Sequence, residues 1–169
     1  MVDRIAYIGS DDNLYTINKN GSDPRRLTGE RRLSTGGVLH AWELQNQVFY
    51  TWPTGSPDGT KIAASQVIAE EDSVVVSLQT IDVDTGGLTR IYDNEPGASP
   101  LIAQGVPHYI YWSPDGSRLT FIASTAEGLT LFASDPQEKN PPVPVEAKGP
   151  ISSTGPTMAA HCYYTQDRT

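Results

Sequence analysis

Two carboxylates occupy matched settings. Asp58 lies in Ser56-Pro57-Asp58-Gly59, and Asp115 lies in Ser113-Pro114-Asp115-Gly116. Paired acids could do general acid–base work if they converged. Their repeated surroundings instead give each a turn of its own, where its carboxylate accepts nearby backbone N–H groups. Asp82 and Asp84, in the stretch 82–87, have the opening spacing of a calcium loop but lack its remaining ligands and distal glutamate, so they read as turn residues. Asp11 and Asp12 read likewise. His40, His108 and His161 are scattered, and the single cysteine, Cys162, offers neither a thiolate zinc set nor an intrachain disulfide. In residues 55–59 serine follows glycine directly, so the G-x-S-x-G spacing of a nucleophile elbow fails. P-loop, dinucleotide and H-E-x-x-H patterns are missing as well. The residues therefore point to no catalytic group, no cofactor and no metal.

The balance of charge narrows the partners. The chain has 169 residues and a net charge of −8, which opposes nucleic acid and anionic membrane surfaces, both of which call for basic faces. Arg25–Arg26, with Arg31–Arg32, is the one basic cluster and reads as a solvated edge or a surface for an acidic partner. No apolar run approaches the ~20 residues that span a bilayer, so no membrane insertion is expected. The first twelve residues lack the basic and apolar regions of a signal peptide.

The elements that carry these residues are strands. The apolar period is two, in short runs at 4–10, 13–19, 47–52, 61–68, 73–83, 88–93, 108–112, 118–124, 129–134 and 142–147, rich in Val, Ile, Tyr, Phe and Thr. Proline at the second position of Ser-Pro-Asp-Gly presets φ, and glycine closes the turn into an antiparallel hairpin. Asn20–Gly21 and Gly86–Gly87 are expected to supply the positive φ angles of further hairpins. Laid end to end, the runs form units of strand, Ser-Pro-Asp-Gly, strand, link, strand, turn, strand. One unit spans residues 47–93 and another 108–147, with Pro57 and Pro114 lying 57 residues apart. A first unit, about 4–30, lacks the opening strand and its turn. The excess over a ~40–50-residue blade lies in the link 94–107, read as a surface loop. Serial four-stranded meanders predict an all-β chain: stacked antiparallel blades of a β-propeller, about three of them and incomplete in one chain, over residues 1–150. Residues 151–169 form a tail with one further strand expected at 160–165.

Trp112 through Gly116, followed by Leu119 and Phe121, resemble the WD40-like (PD40) repeat of TolB-type β-propellers, and residues 13–29 are similar to the second half of that repeat. The likeness covers about residues 4–147. It departs at Gly55, where the repeat usually has an aromatic as at Trp112, and at the end of the last unit, which lacks the closing Leu-Thr. The resemblance implies a non-enzymatic module for a protein or peptide partner, often in the bacterial cell envelope or periplasm. A second reading is a piece of the substrate-gating propeller of a prolyl-oligopeptidase-type serine peptidase.

Complete propellers have roughly four to eight blades, and a shorter row leaves open sheet edges. The row could be part of a longer propeller, an open wedge, or half of a six-bladed ring closed by a homodimer. Propeller opening strands line the channel, which makes Tyr50, Trp52, Tyr109 and Tyr111 candidate partner-binding rings, alongside Trp112. Period two sends about half of them between blades.

Overall fold

The structure is a computed structural model, and it describes residues 4–29, 47–69, 74–94, 106–126, 128–137 and 140–147. The expected loop at 94–107 (apart from its ends), Arg31–Arg32 and the strand expected at 160–165 lie outside the described residues.

The β-rich runs form strands where period two and turn chemistry agree. β1 (Arg4–Ile8), β2 (Leu14–Asn18) and the short β3 (Arg25–Arg26) make a first antiparallel sheet in the order β1-β2-β3. β4 (Gln47–Gly55), β5 (Lys61–Ala69), β6 (Val74–Asp82) and β7 (Leu88–Asp93) make a second, ordered as in the sequence. β8 (His108–Trp112), β9 (Leu119–Thr125), β10 (Gly128–Ser134) and β11 (Val143–Ala147) make the third. The first sheet has no strand before β1 among the described residues.

The two Ser-Pro-Asp-Gly turns repeat the same principal hydrogen bonds. In each, the glycine N–H donates to the serine carbonyl at 2.9 Å, and the glycine is left-handed, with φ 74° at Gly59 and 72° at Gly116. The serine hydroxyl donates to the aspartate at 2.6 Å and accepts the N–H of Lys61 or Arg118 at 2.9 Å. Asp58 also takes the N–H of Thr60, and Asp115 that of Ser117, both at 3.0 Å. The two turns are neighbours in space: a side chain on Gly116 would come within 3.7 Å of Pro57. The other turns correct one expectation. Of the two expected pairs, Gly21 (φ 81°) and Gly86 (φ 71°) are left-handed and Asn20 and Gly87 are not, while Asp23 (φ 53°) is left-handed in the same loop as Gly21. These loops are closed by N–H bonds from Gly21 to Asn18 and from Gly86 to Asp82, and the closing glycine of each is the left-handed member of its pair.

Alternation sends the two faces of the middle sheet to different neighbours. Ala63, Leu78 and Ile91 face the third sheet and form one core with Ile110, Leu119, Phe121, Ala123 and Phe132, with Tyr92 and Trp112 at its margin. Phe121 and Phe132 stack at 5.4 Å, and Tyr92 caps both at 5.2 and 5.1 Å. Tyr50, Ile62, Ala64, Ile81 and Val83 face the first sheet and bury Leu14. Polar groups join the layers too. The Ser65 hydroxyl donates to the Pro107 carbonyl at 2.5 Å, and the Thr80 hydroxyl donates to the Pro136 carbonyl at 3.1 Å. Contacts between sheets concentrate on the opening side, where β1 meets β4, β4 meets β8, and β5 meets β8. The sheets are therefore stacked like radial plates, with their first strands side by side.

Candidate functional site: the aromatic bulges of the first strands

The 57-residue offset that relates the two Ser-Pro-Asp-Gly turns also relates Trp52 to Tyr109. Both rings stand where an opening strand loses its regular ladder. The β4–β5 register shifts between Thr51 and Thr54, and the β8–β9 register shifts between His108 and Tyr111. Pro53 explains the first irregularity locally, because it has no N–H to give to the ladder. At each bulge the aromatic residue is left-handed, with φ 56° at Trp52 and 49° at Tyr109. A bulky residue in that region is a true outlier that costs about 1–2 kcal/mol. Such strain is maintained where the surrounding structure over-determines it, often at sites that bind.

The strain turns both rings outward. Trp52 is 50% exposed and Tyr109 is 43% exposed. They meet across the gap between sheets at 6.1 Å, and His108 completes the cluster at 6.4 Å from Trp52 and 5.0 Å from Tyr109. His108 Nδ1 lies 2.8 Å from the Val106 carbonyl. A carbonyl only accepts, so Nδ1 is the donor in this contact, and the lone pair of the uncharged form of the ring falls on Nε2. Among the described residues nothing bonds to that Nε2. Neither β4 nor β8 contains an Asp, Glu, Lys or Arg.

The other sequence-predicted rings are placed differently. Tyr50 is only 5% exposed, and its hydroxyl accepts a 2.7 Å bond from Gln66, which in turn accepts from Gln79. Burial pushes its phenol pKa up, with the Gln66 bond acting in the opposite direction. It belongs to the layer between the first two sheets and is not available to a partner. Tyr111 is half-buried and paired with Thr120. Trp112 lies against the core and donates its indole N–H to the Thr54 carbonyl at 3.1 Å. Its counterpart Gly55 faces open space, and Trp52 takes the place of Tyr109 rather than of Trp112.

The acids remain in their turns. Hydrogen bonds from the Ser113 hydroxyl, and then from the Ser117 N–H and hydroxyl, hold Asp115 down at about 2. The Ser56 hydroxyl and Thr60 lower Asp58 in the same way. Asp82 accepts the N–H groups of Asp84 and Thr85 and the Thr85 hydroxyl, which also lowers its pKa. Of the basic cluster, Arg25 pairs with Asp23 at 2.9 Å and Arg26 donates to the carbonyls of Thr28 and Gly29.

No protein-family model matches the sequence, and no curated protein matches it. Among solved structures the chain is similar to the β-propeller domain of the Trilobed protease from Pyrococcus furiosus, whose topology is described as open velcro. The TM-score is 0.56 and the identity 19%, over 89% of this chain and 41% of that one. The fold is a partial β-propeller. The chain is likewise similar to TolB from Acinetobacter baumannii, with a TM-score of 0.55 and 19% identity over 89% of this chain and 32% of that one. A puromycin-hydrolysing peptidase of Mycobacterium tuberculosis gives a TM-score of 0.58 and 16% identity over 86% of this chain and 22% of the other. The chain thus spans less than half the length of each of these structures.

Sequence reasoning named Trp52 and Tyr109 as candidate rings and missed the bulges that carry them. Strict alternation cannot place a ring that sits on a bulge. The available signal was the shared offset: an aromatic four residues before each Ser-Pro-Asp-Gly serine, with Pro53 beside one of them.

Proposed function

We propose that this chain is a non-enzymatic, TolB-like part of a β-propeller, built from PD40-type repeats, that binds a protein or peptide partner along its opening strands. The observation that carries the reading is the pair Trp52 and Tyr109, equivalent residues of consecutive blades that are strained, half-exposed and in contact. Aromatic rings supply large contact area at little entropic cost and dominate binding surfaces. Bulges that re-aim a side chain are a recurrent feature beside functional sites.

A second reading is a portion of the substrate-gating propeller of a prolyl-oligopeptidase-type peptidase, favoured by the likeness to a puromycin-hydrolysing peptidase. The same rings would then meet passing substrate, and the chemistry would belong to another domain. A G-x-S-x-G motif with a later histidine in the same reading frame separates the two.

The test is selection of a displayed random-peptide library on the purified chain, followed by titration of the enriched peptides against the W52S/Y109S variant. Binding at least about tenfold weaker to the variant is expected. Equal binding would overturn the site assignment.

A further inference from the structure

We propose that Trp52, His108 and Tyr109 form a subsite for the guanidinium group of an arginine side chain carried by the bound peptide. This inference deepens the proposed function and rests on it.

The chemistry follows from what the cluster offers. Two half-exposed rings stand side by side, and a cation within about 6 Å of an aromatic face is attracted by the ring quadrupole. Beside them His108 offers one lone pair, because Nδ1–H is committed to the Val106 carbonyl and Nε2 is not. The complementary group is flat, cationic and donor-only. Guanidinium has all three properties, with five N–H donors and no acceptor, and it stacks on aromatic rings. An ammonium matches the charge but is compact and strongly hydrated. A proline ring stacks equally well, but its nitrogen carries no N–H for His108.

Electrostatics selects in the same direction. The two first strands carry no charged side chain that would repel or pre-empt the ligand, while the whole chain has 20 acidic against 12 basic residues. A field of that sign draws cationic segments in and turns acidic ones away.

The experiment is a fluorescence-anisotropy titration of the full chain with dye-labelled acetyl-Gly-Ser-Arg-Ser-Arg-Ser-Gly-amide. Three sister peptides replace both arginines with lysine, citrulline or proline. Citrulline keeps the shape and several donors but removes the charge. The arginine peptide is expected to bind about tenfold tighter than the citrulline and proline peptides, and to weaken as salt rises. H108F, which keeps a ring and removes the acceptor, should lose about threefold, and Y109S about tenfold. Near-UV circular dichroism checks that each variant is folded, and H108F serves where Y109S is not. Equal binding of arginine and citrulline peptides, or tighter binding of the proline peptide, overturns the arginine subsite. Should library-selected peptides bind while the arginine peptide does not, the subsite falls and the binding reading stands. Failure of both removes the reading itself.

Discussion

Replacing Trp52 or Tyr109 by glycine should leave the protein more stable than replacing it by alanine, the reverse of the ordinary ranking in a strand. Both variants delete the ring, so its lost contacts cancel in the comparison. What remains is backbone. At φ 56° and 49°, any residue with a Cβ carries about 1–2 kcal/mol of left-handed cost that glycine does not. Against this, glycine forfeits about 0.5–1 kcal/mol to alanine through the greater freedom of its unfolded chain. At the midpoints of these ranges the difference favours glycine by about 0.75 kcal/mol at each bulge. Tyr111, two residues on and back in register with Thr120, is the control, and there alanine should lead by about 0.5–1 kcal/mol. Urea unfolding with a common slope reads these values, and a thermal scan should show glycine ahead by roughly 1–4 °C at the bulges. Alanine variants as stable as the glycine variants at both bulges would refute the claim that these rings are held under strain.

Other consequences follow from the turns and the layers. Asp115 sits at about 2 against an ordinary 3.8. Its folded-state pKa is depressed, so the stability it contributes is present above the ordinary value and is lost as pH falls toward the folded one. The urea-midpoint gap between wild type and D115N should therefore be constant near neutrality and shrink between pH 3.8 and about 2; a gap that widens there contradicts the turn's hydrogen bonds. Phe121→Ala empties the centre of the core between the second and third sheets, where the ring is fully buried, and should cost about 3–5 kcal/mol in the same assay. Ser65→Ala strips the buried Pro107 carbonyl of its donor from the neighbouring sheet and should cost about 1–3 kcal/mol; a neutral result would mean that this bond does not join the layers.

The fold was legible because its cues are local and repeated. Proline and glycine in Ser56–Gly59 and Ser113–Gly116 fix the hairpins through steric limits that operate within four residues. Period two in β5 and β6 is what puts Leu78 and Ala63 on one face and Ile62 and Ile81 on the other, both buried. The site was legible only in part. Tyr50 and Trp52 are separated by two positions and alternate alike, yet one is buried on Gln66 and the other faces solvent. The bulge that holds Trp52 breaks the period, and what selects a bulge is the balance of a proline, a paired strand and a neighbouring sheet. That balance is tertiary. Trp112 shows the same limit, because its indole partner, the Thr54 carbonyl, belongs to another blade.

Nuclear Overhauser contacts of the Trp52 indole give the most direct test of the central claim, that consecutive blades bring their bulge rings together on one exposed surface. Cross-peaks from Trp52 to the rings of Tyr109 and His108 are predicted, with those to Tyr109 vanishing in Y109S while those to His108 persist. An indole that contacts interior rings such as Phe121, or none from the third sheet, would contradict it.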